Sequence, residues 1–129
     1  MSKKAPVRLT AMNADTGAVV ASRVRVASKR IERAIGLLTS RGLQPGEGLL
    51  ITPCRGVHTW FMRFSIDVLA IDEDGRVVDA VEGLEPWRIR LPRPGGFNVL
   101  ELPEGSLKRS RTQIGHHIML KLAPAWEGK

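Results

Sequence analysis

The chain has 129 residues, with 20 Lys and Arg against 13 Asp and Glu, a formal charge of +7 at pH 7. That length holds one core of ordinary size and no second, so a single domain over residues 1–129 is expected, with a frayed tail over 123–129. At 43% hydrophobic and 26% charged residues the composition is globular; it excludes a disordered chain, a coiled coil, a disulfide scaffold and a multidomain enzyme.

The single cysteine, Cys54, cannot close an intramolecular disulfide and points to a reducing compartment. The basic start at Lys3 and Lys4 has no apolar run behind it, and no charge-free stretch is long enough to span a bilayer. A cytoplasmic location is expected. The charge is segmented: net +8 over residues 1–66, −6 over 67–85 and +5 over 86–129.

Val7 to Met12 and Val19 to Val26 read as strands joined by a turn at Asp15-Thr16-Gly17. In the second, Arg23 and Arg25 alternate with Val20, Ser22, Val24 and Val26, which presents a basic face. Ser28 to Ser40 reads as a helix with Ser28 as N-cap, Ile31, Ile35 and Leu38 on one side and Gly42 past its end. Leu49 to Thr52 is a short strand ended by Pro53, and Val57 to Ile71 reads as one long extended segment. Asp72-Glu73-Asp74-Gly75 turns it into a strand from Arg76 to Val81. Prolines and glycines keep residues 84–96 loop-like, with a short edge strand at Trp87 to Leu91. Phe97 to Leu102 is a strand, Pro103-Glu104-Gly105 opens a short polar helix or turn, and His116 to Leu122 is the last strand.

About seven short strands with one substantial helix predict a mainly β (α+β) fold: an antiparallel β-sandwich or distorted barrel with one covering α-helix. The strand–helix alternation of a parallel sheet, a glycine-rich phosphate loop and paired-cysteine zinc spacing are all absent from the sequence.

Four segments carry a resemblance. They are Arg33-Ala34-Ile35-Gly36-Leu37-Leu38 with Arg41 and Leu43, then Gly48-Leu49-Leu50-Ile51, then Val57 to Leu69 running into Asp74-Gly75, and finally Val99-Leu100-Glu101-Leu102-Pro103 with Gly105 and Ile114-Gly115. Together, over about residues 20–120, they resemble the domain-of-unknown-function family numbered 192 of bacteria and archaea. The resemblance implies a compact β-rich domain and no established activity. This chain departs from the family pattern at Gly115-His116, where members commonly have Gly-Asp, and at Ser65, where they often have Pro.

The densest polar cluster is Cys54, Arg55, His58, Thr59, Arg63 and Asp67. On one extended strand Arg63 and Asp67 would lie about 13 Å apart, so Arg63 is expected to meet a partner on another strand, such as Glu101. The candidate ligand-binding residues are therefore His58, Arg63, Asp67 and Glu101, rimming a pocket for a polar or anionic ligand. Cys54 and His58, brought together by the Pro53–Gly56 turn, are the catalytic alternative, a Cys/His or Asp-dependent hydrolase-like enzyme. A metal would draw on His58, Cys54 and either His116 or His117, since neighbouring strand residues face opposite ways. Neither a metal nor a cofactor is expected. An exposed Trp87 beside Arg88 and Arg90 would be a contact surface. The net charge admits nucleic acid as a partner, without the aromatic strand pair or helix-turn-helix that would support it. The favoured reading is a non-catalytic ligand-binding or protein-interaction module.

Overall fold

The computed structural model describes residues 8–27, 43–53, 57–58, 64–90 and 94–122. In chain order these form β1 (Arg8–Asn13), β2 (Val19–Ala27), β3 (Glu47–Ile51), β4 (Val57–His58), β5 (Ile66–Ile71), β6 (Val77–Leu84), β7 (Ile89–Arg90), β8 (Asn98–Pro103), α1 (Ser106–Ser110) and β9 (Ile118–Leu122). The expected helix over Ser28–Ser40 and the tail over 123–129 lie outside the described residues.

Seven strands make one sheet in the order β6-β5-β8-β3-β2-β1-β9, and β4 pairs with β7 in a separate ribbon. The sheet curls into a half-barrel. Its two ends are tied at one point: Ile118 N–H donates to Gly75 O at 2.8 Å, and Val77 N–H donates to His116 O at 2.9 Å. An isolated antiparallel bridge joins Arg76 to His117 there. The mainly β expectation is met, with one difference. The pairing is not wholly antiparallel, because β2 and β3 run parallel. Residues 28–46 separate them, and a connection of that length can cross over and bring the chain back in the same direction.

The sheet has two apolar faces. The inner face holds Ala11, Val20, Val24, Leu50, Leu69, Ile71, Leu100, Leu102 and Ile118, with Leu107 of α1 packed into it. The outer face holds Leu49, Ile51, Ile66, Val68 and Val99, with Phe64, Val81 and Leu84 against them. This explains β5, whose six residues are all buried: its two faces are covered by different clusters, as in a central strand closed on both sides. Each fully buried aliphatic side chain contributes about 1.5–3 kcal/mol, so both clusters matter to stability. The segment expected as one strand from Val57 to Ile71 is divided, with β4 at one end, a bend at Phe64 and β5 beginning at Ile66. Among the described residues no helix is long and apolar enough to cross a membrane.

Candidate functional site

The sheet register decides which predicted site residues can meet. Asp67 pairs with Leu102 and Val68 pairs with Glu101 across the β5–β8 ladder. Directly paired residues share a face and successive residues alternate. Leu102 belongs to the inner cluster and Val68 to the outer one, so Asp67 points inward and Glu101 outward. The two carboxylates are on opposite sides of the sheet and share no pocket.

Asp67 is fully buried. Its Oδ1 accepts the Gly83 N–H at 2.9 Å; its Oδ2 accepts the Gly105 N–H at 3.1 Å and the Leu107 N–H at 2.9 Å. One side chain thus ties β5 to the end of β6 and to the first turn of α1. Negative charge is favourable there, where helical N–H groups lack intrahelical partners.

Glu101 is also fully buried, between Leu49 of β3 and Val68 of β5 on the outer face. Arg63 and Cys54 lie outside the described residues, and of His58 only the backbone place is described, opposite Ile89 in the β4–β7 ribbon. The proximity of Cys54 to His58 and that of Arg63 to Glu101 therefore fall outside the described structure.

The ribbon itself is fixed to the outer face. Asp79 pairs with Ala70, which alternates with the inner residues Leu69 and Ile71, so Asp79 faces outward. Arg90 of β7 reaches it with two bonds, Nε to Oδ2 and Nη2 to Oδ1, both at 2.8 Å. This parallel fork is the strongest pairing geometry that an arginine offers a carboxylate. The hydrogen bond to Asp79 raises the Arg90 pKa above its ordinary value; burial opposes this and the charge of Asp79 adds to it.

Ahead of the clamp the chain turns at Pro86-Trp87. Trp87 has φ of 63°, a left-handed conformation that a bulky side chain rarely adopts, and is 60% exposed. Ile89 beside it is 56% exposed. The expected exposed Trp87 near Arg88 and Arg90 is thus present.

A second polar cluster was not foreseen. Asn13 is fully buried and its Oδ1 accepts the N–H groups of Asp15 and Thr16 at 2.8 and 3.0 Å. Its Nδ2 donates to Thr112 Oγ1 at 3.0 Å and meets His116 Nδ1 at 3.0 Å. Gln113 N–H also donates to His116 Nδ1, at 3.2 Å, which fixes the ring as the Nε2–H tautomer. His117 is held otherwise, its N–H donating to Asp15 Oδ2 at 2.7 Å. The only foretaste in the sequence was Asn13 standing before Asp15-Thr16-Gly17, since an Asx side chain often closes such a turn. Its long-range partners leave no local signal. Among the described residues no three His, Cys, Asp or Glu side chains are grouped to hold a metal.

Comparison with known proteins adds the family. The model of the family DUF192, described as "Uncharacterized ACR", matches residues 11–120. A UPF0127 protein of Pyrococcus horikoshii is 35% identical over 98 residues, covering 74% of this chain and 84% of that relative. The crystal structure of a "putative transcription regulator" from Sinorhizobium meliloti 1021 superposes with a TM-score of 0.75 at 24% identity, covering 93% of this chain and 97% of that one. A protein of unknown function from Novosphingobium aromaticivorans gives a TM-score of 0.73 at 21% identity, covering 88% of this chain and 84% of that one. At those identities the two structures support the fold alone.

Proposed function

The chain belongs to the DUF192 family, which has no established catalytic function, and from that premise we propose that it is a non-catalytic binding module working through the β4–β7 ribbon. One observation carries the reading. Trp87 is a large aromatic held exposed in a left-handed backbone conformation, next to exposed Ile89, on a ribbon locked by the Arg90–Asp79 fork. Such strain costs about 1–3 kcal/mol and persists where the surroundings impose it, often at ligand clamps. An exposed Trp on a rigid support offers large contact area at low entropic cost.

His58 stands opposite Ile89 in this ribbon and is proposed as the polar contact of a surface for a polar or anionic ligand or protein segment, with Arg63 as a further candidate from the sequence. Glu101 is fully buried and is not part of that surface. Asp67 is excluded from that surface, because its oxygens already serve three backbone N–H groups on the other face. The lone Cys54 supports a cytoplasmic setting.

The test is a thermal-shift screen of metabolites and short peptides, since a ligand that binds only the folded chain raises its melting temperature. At least one compound is expected to stabilise the wild type and to lose its effect in both Trp87→Asn and His58→Ala. Hits that survive both substitutions, or a complete absence of hits, would overturn the proposal.

A further inference from the structure

The outer face is divided. Over β3, β8 and β5 it is buried and aliphatic. Over β2, β1 and β9 it is exposed, basic at the end that carries Arg8, Arg23, Arg25 and Lys121 and apolar at the other, where Val19 and Met119 flank Met12. Leu9, Val24 and Leu120 pack on the inner cluster, so their chain neighbours Arg8, Arg23, Arg25 and Lys121 face outward, and all four are exposed. The sequences of these three strands contain no acidic residue and no aromatic one.

Arg8 and Arg25 stand directly opposite each other in the β1–β2 ladder. Like charges so placed disfavour the pairing, and neither side chain has an ion pair among the described residues. Lys121 follows on the third strand, opposite Thr10. Arg23 has Glu47 as its register partner, but Glu47 Oε1 accepts the Gln44 N–H at 2.8 Å and the Arg23 guanidinium donates to Pro45 O at 3.2 Å. A strip that works against its own sheet is a local conflict of the kind found at functional surfaces.

We infer that this strip is a docking face for the phosphate backbone of a nucleic-acid duplex. Two residues apart on an extended strand, Arg23 and Arg25 are separated by about 6.7 Å, close to the ~6.8 Å axial advance of two phosphates along one duplex strand. Arg8 and Lys121 widen the strip across neighbouring strands to about 10 Å. Without aromatic side chains the face offers no stacking platform for unpaired bases, which favours a duplex over a single strand. Contacts made only to phosphates position a protein without reading sequence.

The face is separate from the ribbon surface around Trp87, so the two proposals stand or fall independently. The experiment is fluorescence anisotropy of a short mixed-sequence DNA duplex titrated with the full chain. Up to four phosphate contacts predict an affinity loss of about a hundredfold between 50 and 200 mM salt. Arg8→Gln with Arg25→Gln should reduce that loss to about tenfold and weaken binding at 50 mM, without lowering thermal stability, because the substitutions relieve a like-charge contact. The charge-matched variant Arg76→Gln with Lys108→Gln should keep the wild-type salt dependence, and Trp87→Asn should bind the duplex as wild type does. Absence of binding at 50 mM, equal weakening by both double variants, or binding to phosphatidylserine-containing vesicles but not to the duplex would overturn the inference.

Discussion

Asp67 shows how much one buried carboxylate can determine. Its three backbone bonds join β5 to the end of its hairpin partner β6 and to the start of α1, which lies far along the chain. Bonds to a charged group are each worth about 1.5–3 kcal/mol when buried donors would otherwise go unmatched. Asp67→Asn turns one acceptor into a donor facing N–H groups, so chemical denaturation should show a loss of about 2–3 kcal/mol. His116 makes a subtler case. Here ring Nδ1 accepts from Asn13 and Gln113. The physical requirement is an acceptor, not a particular residue. His116→Asp should therefore change stability by less than about 1 kcal/mol, while His116→Leu leaves the part-buried Asn13 Nδ2 short of one acceptor and should cost about 1–2 kcal/mol, by the same denaturation measurement. Heteronuclear NMR should show the wild-type Nδ1 without a proton.

The elements were legible in the sequence to unequal degrees. The turn at Asp72–Gly75 was read correctly because its chemistry is local: Asp72 Oδ1 accepts the N–H groups of Asp74 and Arg76, both at 2.9 Å. The strand alternation was also local, so the mainly β class followed from it. The relation between Asp67 and Glu101 was not local. The sequence reading puts both at the rim of one ligand pocket, but whether they share a face depends on the β5–β8 register, in which Asp67 meets Leu102 and Val68 meets Glu101. A one-residue change of register reverses every side chain, and nothing in either strand alone states the pairing. The parallel β2–β3 pair was missed for a related reason: a crossover is a property of the connection, not of the two strands.

At the scale of the molecule, the half-barrel depends on the point where its ends meet. Gly75 sits there with φ of +92°, and a Cβ added to it would lie 2.5 Å from Ile118 O. The same two residues are joined by the bond from Ile118 N–H to Gly75 O. Gly75→Ala combines a left-handed alanine with a backbone clash, so it should cost about 2–4 kcal/mol. Hydrogen exchange should show the Ile118 and Val77 amides losing protection first. Closing the curl there leaves the outer surface as the place for partners, with the ribbon on one side and the basic strip on the other.

The central claim is that the Trp87 turn is held in its conformation for binding and not for folding. The most direct measurement is the urea-denaturation midpoint of Trp87→Asn against wild type. Asparagine accepts the left-handed backbone at φ of 63° more readily than tryptophan, and the side chain it replaces is 60% exposed. The account predicts a gain of about 0.5–1 kcal/mol with the denaturant slope unchanged. A loss of more than about 1 kcal/mol would make Trp87 a structural residue of the fold and contradict the claim.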